Sequence, residues 1–147
     1  MSKQLDPKEI LELFSQSIHC SQIVVREWAD DLGLDEEIMM RMAAPFGGGA
    51  FSGNMCGAVC GALMLLGAEY GHFEPGDTEG NENMIAKIGE FKQRFTEANG
   101  SLICQEIIGY NLGVPGESER AFASGVIAKK CPNCVNTALE ILDDMLG

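Results

Sequence analysis

Apolar residues recur at helical spacing through most of this 147-residue chain, and no stretch sustains the alternation of a strand. Asp6-Pro7 reads as an N-cap followed by proline at the first helical position. From there Leu11, Phe14, Ile18, Val25, Trp28 and Leu32 continue one approximate apolar face as far as Gly33. Asp35 opens a short second helix with Glu36 and Glu37 in its first turn, where the helix dipole favours acids, and Pro45 marks its end. After the loop Phe46 to Gly53, Ser52 or Asn54 is expected to cap a central helix over Met55 to Tyr70.

The second half continues in the same way. Gly71 to Gly80 reads as loop, turning at Pro75-Gly76-Asp77. Met84, Ile85, Ile88, Phe91, Phe95 and Ala98 mark one face of an amphipathic helix stopped by Asn99-Gly100. A short helix is expected over Ile103 to Tyr110, then irregular chain over Asn111 to Gly116. Glu117 to Lys130 reads as helical with an interruption at Gly125. The last helix is expected to start at Cys131-Pro132 and to bury Val135, Ala138, Leu139, Leu142, Met145 and Leu146. These patterns predict an all-α fold, a single multi-helix bundle-like domain over residues 1–147.

Charge excludes one class of partner. Ten basic against 22 acidic residues give a formal net charge of −12, which repels a phosphate backbone, so no nucleic-acid partner is expected. The longest weakly polar run, Met55 to Ala68, is closed by Glu69 and is too short to span a bilayer. The polar N-terminal stretch has no apolar signal core, so the expected location is the cytoplasm, where thiols stay reduced.

That location gives six cysteines a chemical rather than a stapling role. Cys56 falls in the first turn of the central helix and Cys60 one turn later. Cys104 falls in the first turn of the short helix. Cys131 is expected at the N-cap of the last helix, with Pro132 at N1 and Cys134 at N3, whereas Cys20 falls midway along the first helix. Free amides and the positive dipole end at a helix N-terminus favour thiolate. The dipole contributes about 0.3–1 kcal/mol, less than one pKa unit, so activation needs a cation as well. Lys129-Lys130, the one adjacent basic pair, precedes Cys131, which is therefore expected to be the most acidic thiol.

Cys131-Pro132-Asn133-Cys134 is also a CxxC. It can be a dithiol/disulfide couple, half of a metal site, or a helix cap with a spare buried cysteine. Cys56 and Cys60 are not expected to bridge. Helix neighbours four apart hold their Cβ atoms about 5–6 Å apart, against about 3.5–4.5 Å in a disulfide. Zinc would call for a second paired ligand set, and the closely spaced ferredoxin run is absent. The glycines Gly47 to Gly49 lack the Gly-Lys-Ser/Thr ending of a phosphate loop and read as a turn; His19 reads as a surface or core histidine.

Cys20, the segment Cys56-Gly57-Ala58-Val59-Cys60-Gly61, Cys104 and Cys131 together resemble the redox-active protein family labelled C_GCAxxG_C_C, with the Cys-Gly order reversed from the label. Phe46-Gly-Gly-Gly and Ala62 to Gly67 extend the resemblance, which covers roughly residues 10 to 145. It implies a small helical protein with a redox role and four hallmark cysteines at 20, 56, 104 and 131, leaving Cys60 and Cys134 outside that set.

Three functions follow as expectations. In the first, Cys131 attacks or accepts electrons and Cys56, Cys104 or Cys20 resolves the mixed disulfide, with Cys134 as its CxxC neighbour and a redox protein or small thiol as partner. In the second, Cys20, Cys56, Cys104 and Cys131 ligate an iron–sulfur cluster or zinc. In the third, the cysteines are inert and the domain is structural, its eight methionines serving core or homodimer contacts.

Overall fold

The computed structural model describes residues 3–147; Met1 and Ser2, where the polar N-terminal stretch begins, lie outside the described residues. The fold is all-α. In chain order the helices are α1 (Pro7–Ser15), α2 (Cys20–Ala29), α3 (Glu36–Ala43), α4 (Gly57–Tyr70), α5 (Thr78–Asn99), α6 (Cys104–Ile108), α7 (Glu117–Ser124) and α8 (Val126–Leu146). No described helix is long and apolar enough to cross a membrane.

The centre of the bundle is α4. Ala58, Val59, Ala62, Leu65 and Leu66 are buried on it, and α2, α5 and α8 pack around it. Its small residues serve close approach: a Cβ on Gly61 would stand 2.7 Å from the Ser21 carbonyl oxygen and 3.3 Å from the Val24 Cβ. Phe91 and Phe95 of α5 stack at 6.2 Å between ring centroids beneath this core. Asn136 of α8 holds the N-terminal strap, accepting from the Leu5 amide at 2.9 Å and donating to the Leu5 carbonyl at 2.8 Å.

Two helix boundaries differ from the sequence expectation, and both move cysteines. The expected first helix is two. Ser15 turns its hydroxyl back onto the Glu12 carbonyl at 2.6 Å, and Ser17 adopts φ +66°. The Ile18 amide then bonds Leu13 and the Ser17 amide bonds Phe14, both at 3.0 Å, which is a left-handed helix stop built without glycine. The chain restarts at Cys20, so this cysteine opens α2.

At the other end, the last helix starts at Val126 and not at Cys131. Gly125, at φ +82°, both ends α7 and begins α8. Pro132 therefore lies inside α8. Its missing amide is tolerated because Ile127, Cys134, Val135, Ala138, Leu139 and Leu142 on the same helix are buried. Smaller shifts are an α5 that begins at Thr78, capped by Asp77, and an α4 whose N-cap is Cys56 itself in place of Ser52 or Asn54.

Candidate thiol site

Three devices bring cysteines to one end of the bundle. The first is a short antiparallel bridge between Met55 and Ile103. The Cys56 amide donates to Leu102 and the Cys104 amide to the Asn54 carbonyl, each at 2.7 Å, which sets the starts of α4 and α6 side by side. The second is the Cys56-Gly57 dipeptide. A Cβ at Gly57 would stand 2.5 Å from the Cys20 sulfur and 2.8 Å from the Phe46 carbonyl oxygen, so the absent side chain is the space that Cys20 occupies. The third is the register of α8, which turns Cys131 and Cys134 towards the same space.

The result is a cavity of about 260 Å³ lined by Cys20, Cys56, Cys104, Cys131 and Cys134. Five of the chain's six thiols meet there; Cys60, one turn along α4 from Cys56, does not line it and donates instead to the Met55 carbonyl at 3.7 Å. The Cys56 and Cys134 side chains interact across the cavity, and Cys134 donates to Asn99 Oδ1 at 3.9 Å. The remaining wall is apolar, with Ile18, Ile107, Ile108, Leu112 and Ile127 at its sides and Phe51 and Phe122 exposed at its edge.

One wall is backbone under strain. Gly48, Gly49, Ala50 and Phe51 run consecutively in the left-handed region, with φ of +59°, +65°, +57° and +51°. For alanine and phenylalanine this costs on the order of 1–2 kcal/mol each. The turn is held from outside: Asn111 donates to the Ser52 carbonyl at 3.1 Å, and Gly113 is packed so closely that a Cβ there would overlap the Phe51 carbonyl. Phe51 meets the His19 ring edge-on at 5.0 Å. His19, which sequence reasoning set aside, thus lines the cavity, and burial lowers its pKa. The only signal for it was adjacency to Cys20, which the expected continuous helix made uninformative.

Electrostatics inside the cavity corrects the expectation of an acidic Cys131. Cys131 is the sixth residue of α8 and has no helix N-terminus to itself, while Lys129 and Lys130 are exposed and do not line the cavity. Burial pushes its thiol up, and the neighbouring sulfurs of Cys20, Cys56 and Cys104 add to the shift. Cys20, Cys56 and Cys104 do stand at helix N-termini, yet they are raised too. Burial lifts Cys20 and Cys104 from 9.0 to about 12. Cys56 is lifted well above its ordinary value, by its side-chain interaction with Cys134 and then by burial, although the Ala58 and Val59 amides pull the other way. Burial therefore outweighs the helix dipole at these positions.

The CxxC does not open a helix as expected: Cys131 and Cys134 lie three apart inside α8, flanking Pro132, and both line the cavity. Cys134 also interacts with Cys56. The four-sulfur set Cys20, Cys56, Cys104 and Cys131 converges on the cavity, but among the described residues no three His, Cys, Asp or Glu side chains are arranged to hold a metal ion.

The profile of the putative redox-active protein family C_GCAxxG_C_C matches residues 18–145. The chain belongs to that family. No curated protein and no solved structure matches it. The four cysteines that carry the resemblance, Cys20, Cys56, Cys104 and Cys131, all line the cavity, and Cys20 packs against Gly57. Cys134, outside the hallmark set, reaches it as well.

Proposed function

We propose that this protein is a two-electron thiol/disulfide carrier in which Cys56 and Cys134 are the redox pair. The observation that carries this reading is the meeting of two buried cysteines from different helices in one cavity lined by three more thiols. Helices α4 and α8 pack against each other, so a bond between these two sulfurs would join two elements rather than lie within one helix. Oxidation forms one S–S bond between Cys56 Sγ and Cys134 Sγ and releases two electrons and two protons to an acceptor. Cys20, Cys104 and Cys131 line the same cavity and are the partners this reading offers for exchange through a mixed disulfide. The expected setting is a reducing cytoplasm with a partner redox protein or small thiol returning the electrons.

Differential alkylation tests the reading. Protein oxidised mildly with diamide, alkylated under denaturing conditions and digested should yield a peptide linking Cys56 to Cys134, which disappears on reduction. Cys60 should alkylate fully in both states. Full alkylation of all six cysteines after oxidation would leave the cysteines as inert core residues.

A further inference from the structure

The cavity wall restricts what can approach the thiols. Among the described residues no Asp, Glu, Lys or Arg lines it, although 32 of the chain's residues are charged; its polar side chains are the thiols, His19 and two serines. A ligand bearing phosphate or carboxylate would be desolvated there with no cation to meet it, inside a chain of net charge −12. Nicotinamide and flavin nucleotides and oxidised glutathione are disfavoured on that ground. The volume of about 260 Å³ exceeds the roughly 150 Å³ of a cavity that takes up benzene, so one substituted ring fits. Phe51 and Phe122, 42% and 52% exposed, stand at the edge of the space and offer ring faces to an entering planar molecule.

From these walls we infer that the cavity admits a small uncharged quinone, which takes the electrons of the Cys56–Cys134 pair. The inference rests on the proposed thiol/disulfide reading and adds its acceptor. The Cys56 and Cys134 S–H bonds break, one S–S bond forms, and the two electrons and two protons reduce the two carbonyl oxygens to hydroxyls, giving a hydroquinone. The state of the thiols suits this acceptor. Burial and sulfur contacts raise Cys20, Cys56 and Cys104, so the sulfurs hold their protons at neutral pH and electrons leave together with protons.

Duroquinone (tetramethyl-1,4-benzoquinone) is the probe, because its fully substituted ring leaves no carbon for thiols to add to. Reduced protein mixed anaerobically with it should produce duroquinol, lose two thiols per quinol, and yield the Cys56–Cys134 peptide. Oxidised glutathione should react more slowly. Phe122→Asp, at a half-exposed position that tolerates a polar side chain, should slow the quinone reaction about tenfold, whereas Phe122→Leu should change it little. Circular dichroism checks that both variants fold. Disulfide formation with oxidised glutathione but not with duroquinone overturns the quinone inference and leaves the thiol reading standing. An unchanged quinone rate in a folded Phe122→Asp variant overturns it as well. Absence of any linked peptide with either oxidant overturns both.

Discussion

The two ends of α4 are built on different rules. Its C-terminal half is a core helix: Leu65 and Leu66 are fully buried, and Gly67 has open space where a side chain would be. Its N-terminal end is made of close approaches, with Gly57 pressed against the Cys20 sulfur and Gly61 against the Ser21 carbonyl. At the first end, side-chain volume holds the structure and backbone placement is lenient. At the second, backbone placement is specified to a few tenths of an ångström, and the space it leaves is filled by thiols. One helix thus supplies both part of the core and part of the wall of the thiol cavity.

The core end should carry the largest stability effect. Phe95→Ala removes a fully buried ring stacked on Phe91, and the expected loss is about 3–5 kcal/mol in urea unfolding. The Cys56–Cys134 peptide should still form in whatever fraction stays folded, since Phe95 does not line the cavity. Loss of that linkage in folded Phe95→Ala protein would mean the two ends are not separable.

A pair of glycine substitutions on the same helix sharpens the contrast. Gly57→Ala places a methyl 2.5 Å from the Cys20 sulfur and 2.8 Å from the Phe46 oxygen, so it should cost about 1–3 kcal/mol and displace Cys20 from the cavity. Gly67→Ala meets nothing within 4 Å and should be neutral or stabilising by about 0.5–1 kcal/mol. Equal urea midpoints for the two variants would refute the division of α4 into a lenient and a constrained end.

The same division decides what could be read from the sequence. The α5 face of Met84, Phe91 and Phe95 and the α8 face of Val135, Ala138, Leu139 and Leu142 are buried as their periodicity requires, because volume and period suffice there. The thiol end depends on backbone events with weak local signals. Ser17 takes a left-handed conformation that a glycine would have advertised, and this moves Cys20 from mid-helix to a helix start. Pro132 imitates a first-turn proline so well that the true boundary, Gly125, reads as a mere interruption. Those two shifts reversed the expected roles: Cys20 gained a helix N-terminus, Cys131 lost one, and Cys134 turned towards Cys56. The spacing of the cysteines showed that they mattered, and the packing of α2, α4, α6 and α8 showed which of them meet.

Alkaline pH offers a third test, confined to the thiol end. A thiol whose folded pKa lies above its unfolded value holds its proton more tightly in the native state. Its contribution is fully present below the unfolded pKa and is lost as pH rises through the folded one. For Cys20 and Cys104 that window runs from 9.0 to about 12. Urea midpoints should therefore be flat around neutrality and fall above about pH 9. Cys104→Ala, which lowers the neutral midpoint by leaving a small void, should show a shallower alkaline fall than the parent chain. An equally steep fall would assign the alkaline sensitivity to groups outside the cavity.

The smallest effect is expected at Cys60. It lies one turn from Cys56, yet it does not line the cavity and makes one long bond to the Met55 carbonyl. Cys60→Ser keeps a donor for that carbonyl, and the half-buried site should hold the change within about 0.5 kcal/mol. The Cys56–Cys134 linkage should form at the parent rate, whereas Cys134→Ser, a change of the same chemistry, should abolish it. If Cys60→Ser slows linkage as Cys134→Ser does, then proximity along α4 decides reactivity rather than access to the cavity, and the contrast between the two sulfurs of that helix disappears.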